Sequence, residues 1–164
     1  MDKKIEDILL EATDSSSIRD TQLIQNLWSN YGQLNRVLLD KLPVIIKLIQ
    51  FPQHSSHPRG WNSNISHERK VKSYRVEMNW YQHYNEENKR CYSPRLIKSG
   101  EVDDIQYLIL EDLQSLKYRP KATLHWREVQ LCLKWLANFH AQYMFQPPDR
   151  LWETGTYWHL DTRP

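Results

Sequence analysis

The sequence predicts an α+β fold: a five-stranded antiparallel sheet, one long helix lying against it, and a further helix after the sheet. Short runs rich in β-branched and aliphatic residues, separated by turn residues, fill 23–49 and recur at 92–113. Between them and after them lie two longer stretches whose apolar residues recur at spacings of three and four, the period of a helix.

The strand pattern is clearest at Pro43-Val44-Ile45-Ile46-Lys47-Leu48-Ile49, a β-branched run closed by Pro43 on one side and Phe51-Pro52 on the other. Such density reads as a buried strand. Its one charge, Lys47, must therefore snorkel to an edge or meet an anion. Upstream, Ile5, Ile8, Leu9 and Ala12 line one face of a short helix over 3–13 that ends at Asp14-Ser15-Ser16-Ser17. Residues 23–28 read as a strand, 29–33 as a turn and 34–39 as the returning strand. With the Lys47 strand they form an antiparallel meander. Residues 53–65 form a polar loop. Ser66 is the expected N-cap of a helix running to about Asn85, with Val71, Tyr74, Met78 and Tyr81 as its buried stripe. Glu77 falls about 60–70° from the middle of that stripe, on the flank, where it can point past the core toward the sheet. Residues 92–101 and 106–113 read as the last two strands, with Ser99-Gly100 and Asp103-Asp104 marking the turn between them. After a polar linker at 117–122, the helix over 124–144 carries Trp126, Val129, Leu133, Leu136, His140 and Tyr143 on one stripe. It is expected to be deeply packed, with His140 a core histidine.

Composition narrows the function classes. The chain has 164 residues, 40% hydrophobic and 12% aromatic, enough to fill a core. A formal charge of +2 points to neither nucleic acid nor membrane. The longest apolar runs fall far short of the roughly 20 residues that span a bilayer. Met1-Asp2-Lys3-Lys4-Ile5-Glu6 does not read as a secretory leader. The expectation is a cytoplasmic protein with Cys91 and Cys132 unpaired.

Four motifs in order carry a resemblance. Val44-Ile45-Ile46-Lys47 resembles the Val-Ala-Ile-Lys strand of kinases, and Glu77, thirty residues on, stands where the helix glutamate that pairs with that lysine would stand. Leu108-Ile109-Leu110-Glu111-Asp112-Leu113 resembles the hinge strand of small-molecule kinases. Leu136-Ala137-Asn138-Phe139-His140-Ala141 resembles the helix that follows it. Over residues 22–144 the chain is thus similar to the protein-kinase-like fold of the choline kinase and aminoglycoside phosphotransferase superfamily. Within that superfamily it is most similar to the ecdysteroid-kinase-like branch. The resemblance implies a nucleotide-binding N-terminal lobe at 1–113, and a hinge with the start of a helical C-terminal lobe at 114–164. It implies ATP and Mg2+ as cofactors and a small-molecule hydroxyl as phosphoryl acceptor. Lys47 would hold the phosphates and Glu77 would orient Lys47. The turn with Ser29, Asn30 and Gly32 would cover the phosphates, although it has one glycine where protein kinases have three. Main-chain groups of Glu111, Asp112 and Leu113 would meet the adenine edge.

The family's catalytic loop, His-x-Asp-x-x-x-x-Asn, is not completed. His159-Leu160-Asp161 is followed only by Thr162-Arg163-Pro164, so Asp161 is a weak candidate base and the chain is expected to be the N-terminal part of a longer enzyme. Alternatives stay open: a nucleotide-binding module without catalysis, or nucleic-acid binding by Arg69, Lys70, Lys72 and Arg75 beside Trp61 and Tyr74. Charge opposite an apolar stripe is, however, the ordinary pattern of a surface helix. His54, His57 and His67 lack a further ligand at zinc spacing, so no metal site is assigned. Trp126, Trp135, Trp152 and Trp158 would leave an apolar patch favouring self-association.

Overall fold

The computed structural model describes residues 1–51, 64–87 and 91–154. The elements are α1 (Lys3–Thr13), β1 (Ile18–Asn26), a 3-10 turn (Trp28–Asn30), β2 (Gly32–Leu39), β3 (Pro43–Gln50), α2 (Asn64–His83), β4 (Leu96–Val102), β5 (Ile105–Glu111) and α3 (Trp126–Tyr143). The five strands form one sheet in the order β1-β2-β3-β5-β4, with every neighbouring pair antiparallel. No helix among the described residues is long and apolar enough to cross a membrane.

Strand alternation divides the sheet's two faces between different jobs. Val37 and Leu39 on β2, Val44 and Ile46 on β3, and Tyr107 and Ile109 on β5 turn to one face, where Ile5 and Leu9 of α1 close the main core. Leu34, Arg36, Ile45, Lys47 and Leu110 turn to the other face and line a cleft. Because both faces are covered, β3 reads as a continuous apolar run rather than an alternating one.

Helix α1 is built for its place. The Asp2 side chain accepts a hydrogen bond from the Lys4 N–H at 2.8 Å, an N-cap. Asp14 closes the helix in the left-handed conformation, φ 51°. Asp40, at the end of β2, accepts from the Ser16 hydroxyl at 2.8 Å and the Ser16 N–H at 3.0 Å. These bonds hold the carboxyl down at about 2 and fasten the α1–β1 connection to the sheet.

Several expectations are corrected. β1 begins five residues earlier than the reading at 23–28 and stops before Trp28, which lies in the turn and is 83% exposed. Its outer edge escapes the apolar pattern, since eight of its nine residues are exposed; register shifts near Asp20 and Gln25 blunt it as an edge strand. β4 begins at Leu96 and includes Ser99 and Gly100, so Asp103-Asp104 alone make the turn, both at positive φ. α2 begins at Asn64, so Ser66 lies within its first turn and is not its N-cap; it ends at His83, and its stripe residues are half-buried rather than core. α3 is not deeply packed: no residue on it is fully buried, and His140 is exposed. Its contact with the rest is narrow. Phe139 meets Trp80 of α2 at 6.1 Å between ring centroids, the Tyr143 hydroxyl donates to the Tyr84 carbonyl at 2.9 Å, and the Trp135 indole donates to the Tyr92 carbonyl at 2.7 Å. Trp126 and Trp135 are 68% and 38% exposed. The expected stripe is also misplaced: Trp126, Leu133, Leu136 and His140 are exposed, and the contacts come from Trp135, Phe139 and Tyr143, because periodicity does not say which apolar positions a partner covers.

This division predicts unequal costs. Leu9→Ala, at a fully buried site, should cost about 2–5 kcal/mol of stability. Leu133→Ala on α3, 54% exposed, should stay within about 0.5 kcal/mol. Urea denaturation midpoints measure both.

Candidate functional site

The cleft lies on the sheet face opposite α1, has a volume of about 490 Å³, and runs from the β1–β2 region to residues 110–114. At its back, β3 registers Lys47 between Leu34 of β2 and Leu108 of β5. The Lys47 ammonium donates to Glu77 Oε2 of α2 at 2.5 Å. The lysine side chain is 14% exposed and the glutamate 34%. The ammonium also lies 5.0 Å from the centre of the Tyr74 ring, a cation–π distance. Tyr74 and Tyr81, three before and four after Glu77, flank it on the same side of the helix. Burial, and then the Glu77 charge, push the Tyr81 phenol up to about 12; the same causes, with Tyr31 added, raise Tyr74.

At the other end of the cleft a second pair faces the first. Arg36 grips Asp112 with two bonds, Nε to Oδ2 at 2.9 Å and Nη2 to Oδ1 at 3.3 Å, a bidentate geometry. Asp112 is 4% exposed and also accepts from the Gln114 N–H at 3.0 Å. Beside it, Glu111 accepts from the Tyr92 hydroxyl and from Arg95 at 3.2 and 3.3 Å. Burial alone would raise the Glu111 carboxyl, but these donors outweigh it and hold it below its ordinary value. Between the two pairs, Leu27, Leu34, Ile45 and Leu110 supply an apolar lining. A flat, apolar-walled slot with a cation at one end and main-chain groups at the other fits a nucleoside phosphate in size and character.

The main chain of 111–113 is partly committed. The Glu111 N–H donates to the Arg95 carbonyl at 3.0 Å. The Asp112 carbonyl accepts from Ser115 at 3.0 Å, and the Leu113 carbonyl from Leu116 and Tyr118, both at 3.1 Å. The β1–β2 turn is tighter than a glycine-rich loop. The Asn30 and Tyr31 N–H groups bond back to the Leu27 and Trp28 carbonyls, so they do not point outward. Asn30 takes the left-handed conformation, φ 57°, which asparagine tolerates. Gly32 has φ 133°, and a Cβ there would lie 1.9 Å from the Leu48 carbonyl oxygen; its glycine is required by the close approach of β2 to β3. The Ser29 side chain, Asp161, His54, His57, Trp61 and Trp158 lie outside the described residues.

Lys47 and Glu77 are therefore brought together, while Asp112, expected to act through its main chain, commits its side chain to an ion pair with Arg36. Sequence reading missed Arg36 and Tyr31. Arg36 left a signal, a charge two residues from Leu34 on the inward side of a strand. Tyr31 left only an aromatic ring in an otherwise polar turn. Lys72 is drawn over the Trp152 ring at 4.3 Å and Lys70 over Tyr31 at 5.1 Å, so part of the basic cluster on α2 serves the fold itself. Among the described residues no group of three or more His, Cys, Asp or Glu is gathered as a metal site.

The sequence pattern of the ecdysteroid kinase-like family matches residues 40–146, which covers β3, α2, β4, β5 and α3. The chain belongs to the ecdysteroid kinase-like family. Its sheet and α2 are accordingly a kinase-like N-terminal lobe. Among solved structures, that of WbdD aligns at 14% identity and a TM-score of 0.44, covering 77% of this chain and 27% of that one. The structure of vaccinia related kinase 3 aligns at 19% identity and a TM-score of 0.32, covering 78% and 42%. This ecdysteroid kinase-like chain thus spans less than half the length of either. No curated protein sequence matches it.

Two predictions follow from the pairs. Asp112→Asn or Arg36→Met should each cost about 3–5 kcal/mol, because each strands a buried charge; the double replacement Arg36→Met with Asp112→Leu should recover most of that loss in urea titrations. The Tyr81 phenol ionises near 10.0 when unfolded and near 12 when folded. Its contribution to stability is complete below the lower value and is lost as pH rises toward the upper one. Tyr81→Phe should flatten the fall in urea midpoint across that window; an unchanged slope would contradict the assignment.

Proposed function

We propose that residues 1–113 form the nucleotide-binding lobe of an ATP-dependent small-molecule phosphotransferase, and that 114–164 begin its helical lobe. The observation carrying this reading is the Lys47–Glu77 contact at 2.5 Å inside an apolar cleft that ends at a hinge. ATP, bound with Mg2+, supplies the γ-phosphoryl that a hydroxyl of a small substrate takes up. Lys47 neutralises phosphate oxygens, and Glu77 keeps its ammonium on the cleft axis instead of letting it swing with its four-carbon stem. With the Glu111 N–H and the Asp112 and Leu113 carbonyls already committed, the adenine edge falls to the Glu111 carbonyl and the Asp112 and Leu113 N–H groups. With the Asn30 and Tyr31 N–H groups bonded back within the turn, the Ser29–Gly32 turn covers the phosphates from above through the Ser29 N–H and the Asn30 side chain. By the family resemblance the proton acceptor and the metal ligands would come from the helical lobe. Reaction there would be phosphoryl transfer helped by position and charge. The same residues would also serve a nucleotide-binding module that transfers nothing; ADP release with a panel of hydroxylated acceptors separates the two.

The test is a calorimetric titration with ATP and Mg2+ of this chain, and of a longer chain that carries the rest of the helical lobe. Lys47→Ala should weaken ATP by at least about tenfold, or roughly 1.4 kcal/mol; because it also leaves Glu77 without its counter-charge and lowers stability, a retained cooperative urea transition is the control that the variant is folded. Equal ATP affinity in wild type and variant would remove Lys47 from the site. No binding by the longer, folded chain would end the nucleotide reading.

A further inference from the structure

Tyr31 stands at a junction that the cleft's chemistry does not account for. It closes the β1–β2 turn, yet it is 2% exposed, while Trp28 in the same turn is 83% exposed. Its main chain is tied to the Lys47 strand, since its carbonyl accepts from the Gln50 N–H at 2.9 Å. Its side chain is tied to α2. The hydroxyl and His67 Nδ1 share a hydrogen bond of 2.7 Å, its direction set by the imidazole tautomer. Its ring stacks on Tyr74 at 6.2 Å and 26° and meets Phe51 edge-on at 5.9 Å. The far side of this cluster reaches the site, because the Lys47 ammonium sits over the same Tyr74 ring. One buried side chain therefore connects the turn, the lysine strand and the helix that bears Glu77.

We propose that Tyr31 is a positioning residue that couples the β1–β2 turn to α2, so that the turn above the phosphates and the Lys47–Glu77 pair keep a fixed spacing. The physical basis is the asymmetry of α2. None of its residues 67–83 is fully buried, so aromatic stacking and one hydroxyl–imidazole bond are a large share of what fixes its N-terminal half. A triphosphate, which spans turn and lysine, would feel the spacing; adenosine, held at the hinge, would not. In its ligand consequence the inference rests on the nucleotide reading above, whereas the coupling itself does not.

Hydrogen exchange of the whole chain, resolved by peptide, reads the coupling without ligand. Tyr31→Phe keeps the ring and removes the hydroxyl; His67→Leu removes the other partner. Each should speed exchange about three- to tenfold in both the 27–32 turn and 67–74 of α2, with the double variant no faster than either single one. Peptides from α1 should be unchanged, which shows that the fold is kept. Each variant should also weaken ATP about three- to tenfold and leave adenosine unaffected. Faster exchange confined to one element, multiplying effects in the double variant, or equal losses for ATP and adenosine would overturn the proposal. If wild type binds neither ligand, the longer chain decides the nucleotide reading, and exchange alone still decides the coupling.

Discussion

A lysine on a strand covered from both sides needs a counter-charge close at hand, and in this lobe that requirement ties sheet to helix. Lys47 stands between Leu34 and Leu108 in the sheet, and its side chain is 14% exposed. Removing an ammonium from water costs several kcal/mol, which a well-placed carboxylate offsets. Glu77 is that carboxylate, and because it belongs to α2 the pair also sets the helix's rotation and its height above the sheet. Tyr74 and Tyr81 then shield the carboxylate on both flanks. The geometry that neutralises a buried charge is the geometry that would present it to a phosphate.

The two helices flanking the sheet hold on in different ways. α1 is fixed by area: Ile5 and Leu9 are 1% and 0% exposed and meet six apolar side chains from three strands. α2 is fixed by points: an ion pair, a tyrosine–histidine bond, a ring stack, and near its C-terminal end Asn79 donating to the Arg150 carbonyl at 2.8 Å and Tyr84 to that of Asp149 at 2.8 Å. Contacts spread over area resist displacement in every direction, whereas point contacts allow a helix to pivot if one yields. The rigid face and the adjustable face lie on opposite sides of one sheet, only a strand's thickness apart.

Much of this was legible in the sequence because β3 and α2 each carry an internal contradiction. A lysine among β-branched residues and a glutamate beside an apolar stripe are locally unfavourable choices, and they make sense together. The family resemblance rested on those residues and on the hinge strand, and the family match over 40–146 covers both. Burial of α3 was not legible, because spacing records which face is apolar and not whether anything covers it. β1 was read short since its residues, exposed on both faces of an edge strand, give no period-two signal. The Arg36–Asp112 pair joins positions 76 apart, and no local pattern announces a contact of that range.

The pairing of charges in the cleft has a consequence for how a ligand arrives. Its charged lining residues are Arg36, Lys47, Glu77, Glu111 and Asp112, and each is matched: Arg36 with Asp112, Lys47 with Glu77, and Glu111 with Arg95 at the rim. Opposite charges a few ångströms apart cancel at a distance, so the cleft projects almost no field into solvent. An anion would find it by ordinary diffusion and meet the lysine's pull only within the last few ångströms. Capture would then be slow to start, nearly indifferent to ionic strength, and decided after entry by shape.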